Sequence, residues 1–365
     1  MMLKKRILAT LIAGALSSTA FADLSIVTNS NVAVGAEALA PVSLVSNWDK
    51  TFAENANVAH QKVTFKNRYG ISIVADLYYP KDLDPSRQYP AIAVSGPFGA
   101  IKEQSSGLYA QTLAASGFVT IAFDPSYTGE SGGFPRNISS PDVNTEDFYA
   151  AVDFLGSQAF VNREQIGILG ICGWGGFALS AASADTRVKA VATTVMYDMS
   201  RAIGYGMGSG GDLYGTEVRQ QMKEGIATQR YQDFTNRTPA YMPNAFKGDM
   251  NNDPVLLEYA SYYATERGFH ERSINSNAGW ALTNANSFIN FPTLSKTYEI
   301  TAPTLIVAGE VAFSRYFSED AFKEVGAKNK ELLIVPGANH VDLYDNVNKI
   351  PFAKLVEFYQ TNLVK

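Results

Sequence analysis

The sequence predicts an α/β protein, a mostly parallel twisted sheet with helices on both faces and a helical lid insertion. Three observations carry this. Short apolar runs of strand length alternate with amphipathic segments of helix length from about residue 59 onward, the pattern of βαβ units. The alternation stops after Asp198 and resumes near Thr301, a gap too long for a plain loop. The strand Ile166–Gly170 runs straight into a glycine-flanked turn at Cys172, followed by a helix of small residues.

The elements follow in order. Lys4-Lys5-Arg6, the apolar stretch Ile7–Leu16 and Ala20-Phe21-Ala22 form a signal peptide over residues 1–22, with cleavage after Ala22, since the apolar run is too short to span a bilayer. Residues 23–58 form a polar N-terminal arm. The core occupies 59–198 and 301–365, and the lid 199–300. Gln61–Lys66 and Ile71–Tyr79 are strands joined at Asn67-Arg68-Tyr69-Gly70, a hairpin signal. Ala91–Ser95 is a buried strand, Glu103–Ser116 a helix ended by Gly117, and Val119–Phe123 a strand. Asn144–Ser157 has a helical apolar face of Phe148, Ala151, Val152 and Leu155. The central strand is followed by a helix over Gly175–Ala184 and a strand over Val188–Thr194. In the lid, Thr216–Ile226 and Leu256–Arg267 have helical character. Thr304–Ala308, Glu319–Val325, Glu331–Val335 and Pro351–Asn362 close the series as strand, helix, strand and helix.

Composition narrows the function. Loss of residues 1–22 removes Lys4, Lys5 and Arg6 and no acid, so 30 basic residues fall to 27 against 35 acidic ones, a net charge of −8. No basic block remains for nucleic acid. The leader implies an exported, periplasmic protein with no membrane span once it is removed. A single cysteine cannot form an internal disulfide, and its retention in an oxidising compartment favours a chemical role.

That cysteine, Cys172, sits where a strand-to-helix turn exposes a reactive atom at the tip of a sheet. The helix N-terminus after it favours a negative charge. A thiol nucleophile needs a base. Of three histidines, His340 lies in the loop after the last strand, where strand carboxyl ends gather in one crevice. His60 reads as structural and His270 as a lid residue. The base needs an orienting acid. Glu310, after the strand Thr304–Ala308, is the first candidate and Asp198 the alternative. An oxyanion hole would use the Gly173 amide and that of Phe98 or Gly99, because Pro97 has no N–H. Gly129-Glu130-Ser131-Gly132-Gly133 matches G-x-S-x-G, but no helix follows directly, so it reads as a tight loop at the cleft edge. Gly206, Gly208 and Gly211 lack the strand-to-helix setting of a dinucleotide site. No His, Cys or carboxylate cluster has metal-ligand spacing.

Lys102-Glu103-Gln104, Phe123-Asp124-Pro125-Ser126-Tyr127-Thr128-Gly129-Glu130-Ser131-Gly132-Gly133, Gly170-Ile171-Cys172 and Gly337-Ala338-Asn339-His340-Val341-Asp342-Leu343-Tyr344 together resemble the dienelactone hydrolase-like branch of the α/β-hydrolase superfamily, over about His60 to Phe358. The resemblance implies the α/β-hydrolase fold, a Cys-His-acid triad, no cofactor, and hydrolysis of an ester or lactone through an acyl-enzyme. It also places Glu103 near the resting thiol. Two positions depart from the pattern. Trp174 replaces the usual glycine two residues after the nucleophile, and the acid position lacks the usual aspartate. Trp174, Tyr127 and Glu103 are the expected substrate-pocket residues, and a small-molecule acyl compound the expected partner. The other readings are an acyltransferase on the same fold, a non-catalytic binding protein that retains the fold, and a redox sensor using the thiol.

Overall fold

The structure is a computed structural model and describes residues 36–207 and 212–364. The signal peptide, all of residues 23–35 and the end of the G-x-G-x-x-G stretch lie outside the described residues. Eight strands form one sheet: β1 (Val58–Lys66), β2 (Ser72–Pro80), β3 (Tyr89–Ser95), β4 (Val119–Phe123), β5 (Val161–Ile171), β6 (Ala190–Thr194), β7 (Thr304–Gly309) and β8 (Lys330–Val335). Their spatial order is β1-β2-β4-β3-β5-β6-β7-β8. The β1–β2 and β2–β4 pairs are antiparallel, and every pair from β4–β3 onward is parallel. The expected α/β-hydrolase fold, with its antiparallel edge, is present.

Residue chemistry explains the layering. From Ala91 to Ser95, β3 is buried throughout, as are all five residues of β4 and of β6. A strand covered on both faces reads as an unbroken apolar run. The edge strand β1 is more exposed, with Gln61, Thr64 and Lys66 on the solvent side. Its turn is pinned by the Asn67 carboxamide, which accepts from the amides of Tyr69 (3.1 Å) and Ile71 (3.0 Å).

The helices are α1 (Ser105–Ala114), α2 (Pro141–Ser157), α3 (Gly173–Ala184), α4 (Met199–Tyr205), α5 (Thr216–Asn236), α6 (Pro254–Tyr263), α7 (Ile274–Asn277), α8 (Arg315–Glu324), α9 (Asp342–Asp345) and α10 (Phe352–Leu363). α1 and α10 pack together on one face of the sheet, and α2 and α3 together on the other. Helix α3 starts two residues earlier than its small-residue run suggested, immediately after Cys172. Between β6 and β7 the chain leaves the sheet and builds α4–α7. Helix α5 runs ten residues past the expected Ile226, with no Gly or Pro from Ala227 to Asn236 to end it, and stops at Arg237, which is left-handed.

A buried ionic network ties arm, core and lid. Lys102 is fully buried, with its ammonium 2.6 Å from Glu103, 2.9 Å from Asp124 and 2.5 Å from Glu130. Arg272 of the lid lies 3.0 Å from Glu103 and 2.7 Å from Asp49 of the arm. Lys50, also of the arm, is 2.5 Å from Asp76, which His60 meets from its other side at 2.9 Å. Removing one partner from such a cluster leaves charges buried and uncompensated. Lys102→Met should therefore lower stability by about 3–5 kcal/mol, read as a fall in the urea unfolding midpoint.

Candidate active site

The cleft is assembled at the carboxyl ends of five parallel strands. β3 delivers Phe98, β5 Cys172, β6 Tyr197, β7 Ser314 and β8 His340. Cys172 has φ 56° and ψ −128°, a conformation that costs a non-glycine residue about 1–3 kcal/mol. Its carbonyl accepts from the amides of Gly175 (2.9 Å) and Tyr197 (3.0 Å), and its own amide donates to Thr194 (2.9 Å). These bonds over-determine the turn. Three glycines let it close. A Cβ at Gly170 would overlap the Trp174 carbonyl, one at Gly173 would press on Met199 and Phe98, and one at Gly175 would strike Met196.

Burial pushes the Cys172 thiol up. Hydrogen bonds from the Tyr344 hydroxyl, the Phe98 and Gly173 amides and the Tyr259 hydroxyl act against this. Two backbone N–H groups thus converge on the sulfur from the positions an oxyanion hole requires. Gly99, the other oxyanion candidate, also ties the lid to this loop. Its carbonyl holds the lid by accepting from the Asn275 amide (3.1 Å) and the Ser273 hydroxyl (3.0 Å).

His340 is fully buried. Its Nδ1 lies 2.6 Å from the Ser314 hydroxyl, and its Nε2 lies 2.9 Å from Tyr344 and 3.4 Å from Tyr259. The rings of Tyr197, Tyr259, Phe313 and Tyr344 surround it at centroid distances of 5.0–5.4 Å. No carboxylate reaches the imidazole, and burial alone lowers its pKa to about 3. The expected acids are elsewhere. Glu310 Oε2 accepts from the Gly337 amide (2.8 Å) at the surface. Asp198 caps α4, accepting from the Ser200 (3.0 Å) and Arg201 (3.1 Å) amides. Each carboxylate places one oxygen on backbone N–H groups, and neither makes a hydrogen bond with His340. Ser314 stands in the place expected for the acid. Sequence reasoning missed it because a serine just before a helix reads as an N-cap.

The three expected pocket residues are corrected in turn. Trp174 is in the core, its ring edge-on to Phe123, Phe148 and Phe177 at 5.2–5.5 Å. Space for it comes from Gly96, where an added Cβ would sit 2.8 Å from the Trp174 Cβ. Tyr127 faces a separate cleft beside Phe134 and Arg237. Glu103 is held by Lys102 and Arg272, away from the thiol. Ser131 is locked as well, accepting from the Val74 amide (2.8 Å) and donating to the Asp124 carbonyl (2.7 Å). His270 is buried with its Nε2 at the Asp49 carbonyl (3.0 Å).

Cys172 lies on the floor of a cleft of about 240 Å³. Its walls are largely apolar, with Met199, Ile203, Met242, Phe246 and Trp280 among them, and Asn244 and Asn275 as polar points. No charged side chain lines it among the described residues. The lid is latched to the histidine loop. Glu258 accepts from the His340 (2.8 Å) and Val341 (3.1 Å) amides. Arg267 meets both Asp345 oxygens, with Nε at 3.0 and 2.8 Å, and donates to the Val341 carbonyl (2.8 Å). Among the described residues, no group of His, Cys, Asp and Glu is placed to hold a metal ion.

Comparison with known proteins adds the family. The pattern of the X-Pro dipeptidyl-peptidase (S15 family) matches residues 69–341. The chain belongs to this family. Together with the sheet, this makes it a hydrolase of the α/β-hydrolase superfamily. It is 54% identical over 325 residues to the uncharacterized protein PA2218 of Pseudomonas aeruginosa, covering 88% of this chain and 86% of that one. The crystal structure of PA2218 superposes with a TM-score of 0.85 at 53% identity, over 88% of this chain and 99% of that one. The uncharacterized protein YcjY of Escherichia coli is 36% identical over 293 residues, 78% of this chain and 93% of YcjY. The α/β hydrolase GrgF from Penicillium sp. sh18 shares the fold with a TM-score of 0.68 at 22% identity, over 84% of this chain and all of that one.

The buried imidazole carries a stability signature. Below its ordinary value of 6.5 the unfolded chain takes up a proton that native His340, near 3, refuses. Stability therefore falls as pH falls from 6.5 toward 3, by about 1.4 kcal/mol per pH unit from this residue, and is unaffected by it above 6.5. His340→Gln should flatten that part of the curve of melting temperature against pH.

Proposed function

We propose that the chain is an exported acyl hydrolase in which Cys172 attacks the carbonyl of an ester, lactone or related acyl compound. The observation that carries this is the strained Cys172 turn, with the Phe98 and Gly173 amides converging on its sulfur at the floor of an apolar cleft. Sγ forms a bond to the acyl carbon, and the oxyanion is received by the two amides. The thiol proton passes to His340, which returns it to the leaving group. Water, deprotonated toward His340, then attacks the thioester, and the acid departs with Cys172 restored as a thiol. Ser314 holds Nδ1 and so fixes the imidazole. The likeness of the sequence motifs to dienelactone hydrolases supports thiol rather than hydroxyl chemistry at this position.

The lining favours a neutral, apolar acyl group. A dipeptide with a free N-terminus would bring an ammonium ion, which needs a carboxylate or several strong acceptors in a dry cleft. Among the described lining residues there is no carboxylate to receive it. Export rests on the leader Met1–Ala22, and N-terminal sequencing of the periplasmic protein should begin at Asp23.

Hydrolysis of p-nitrophenyl esters of several acyl lengths tests the reading. Cys172→Ala should abolish turnover, and His340→Ala should cut kcat/KM by about 100-fold or more, both with folding intact. Full activity in Cys172→Ala would sink the proposal. So would a parent without turnover on any ester whose thiol alkylates no faster than free cysteine, which would favour a binding role. Acyl transfer to added alcohols or amines in preference to water would mark an acyltransferase.

A further inference from the structure

We propose that Tyr344 is a catalytic residue, its hydroxyl carrying the proton between Cys172 Sγ and His340 Nε2. This rests on the Cys172–His340 reading above and deepens it.

Three features of the geometry lead here. Among the described residues Sγ and His340 form no hydrogen bond with each other, and both imidazole nitrogens are engaged by hydroxyls. The hydroxyls of Tyr344 and Tyr259 both act on the Cys172 thiol, and Tyr344 is the nearer to Nε2, at 2.9 Å against 3.4 Å. Its position is also fixed. His340 and Tyr344 are four residues apart on one turn closed by the bonds of Leu343 to His340 (3.3 Å) and Tyr344 to Val341 (3.1 Å). The Tyr344 ring is fully buried and edge-on to Tyr262 at 5.2 Å, while the Tyr109 hydroxyl donates to the neighbouring Leu343 carbonyl (2.7 Å).

With Nδ1–H donating to Ser314, Nε2 carries the lone pair and accepts from Tyr344. As Sγ bonds to the acyl carbon, its proton moves to Tyr344 Oη while the tyrosine's own proton moves to Nε2. The carbonyl π pair becomes the oxyanion. Tyr344 ends neutral, and His340 ends as imidazolium. On collapse of the intermediate the C–leaving-group bond breaks, and the imidazolium proton returns along the same path to the leaving atom. Burial holds the phenol protonated in the resting state, so Tyr344 can work only by accepting one proton as it releases another. That matches a site in which neither thiolate nor imidazolium has a counter-ion.

The test compares Tyr344→Phe with the parent, Cys172→Ala and His340→Ala, on one activated p-nitrophenyl ester. The expected result is a loss in kcat/KM of about 100-fold or more, carried by kcat rather than KM, with an unchanged melting profile. A proton inventory on kcat/KM of the parent in H2O–D2O mixtures covers the case in which Tyr344→Phe fails to fold. Two protons in flight give a curved dependence on deuterium fraction, and one proton gives a straight line. A folded Tyr344→Phe within threefold of the parent, or a linear inventory, overturns the relay while inactive Cys172→Ala and His340→Ala leave the cysteine reading standing. Active Cys172→Ala overturns both.

Discussion

The site depends on one backbone conformation, the positive φ at Cys172. It points the thiol out of the sheet instead of along it, and it frees the next amide to face the same space. Nothing intrinsic to cysteine favours this. The turn persists because its carbonyl receives two amides, its amide is tied to β6, and glycines at 170, 173 and 175 remove the side chains that would push it open. The residue that follows the neighbouring strand β6 is strained too, Val195 at φ 41°, an outlier for a β-branched residue. The stability of the whole sheet holds both residues in these shapes.

The imidazole is unusual in what it lacks. A carboxylate beside a buried histidine raises its basicity and stabilises the imidazolium. Among the described residues the hydrogen-bond partners of the imidazole are all hydroxyls, and four aromatic rings pack around it. Both reacting groups are therefore neutral at rest, and charge develops only when substrate is present. The oxyanion amides then carry most of the electrostatic work, since they are the oriented dipoles nearest the new charge.

Much of the frame is legible in the sequence. Parallel strands covered on both faces show as the apolar runs Ala91–Val94 and Val119–Phe123, and the elbow shows in the glycine spacing around Cys172. The location of His340 at a strand end follows from loop order. What is not legible depends on long-range pairing. Glu310 and Asp198 are ordinary acids in sequence, and only the folded chain shows them bonded to backbone amides of their own segments or of the Gly337 turn, with no bond to His340. Trp174 reads in sequence as a pocket residue, because no local feature shows that Gly96, far earlier in the chain, vacates space for it inside the core. The hydroxyls of Ser314, Tyr259 and Tyr344 meet from three separate segments, and tyrosines carry no signature that separates a packing role from a polar one.

The buried ionic network has a consequence for redesign. Arg272 belongs to the lid by chain order, but its counter-ions belong to the arm and the core. The insertion is therefore not an interchangeable cassette. A chimera that took its lid from another protein would strand Asp49 and Glu103 unless an equivalent cation came with it. Substrate range in this scaffold is more accessible to changes in the cleft wall, at positions such as Ile203 and Met242, than to wholesale exchange of the segment that carries them.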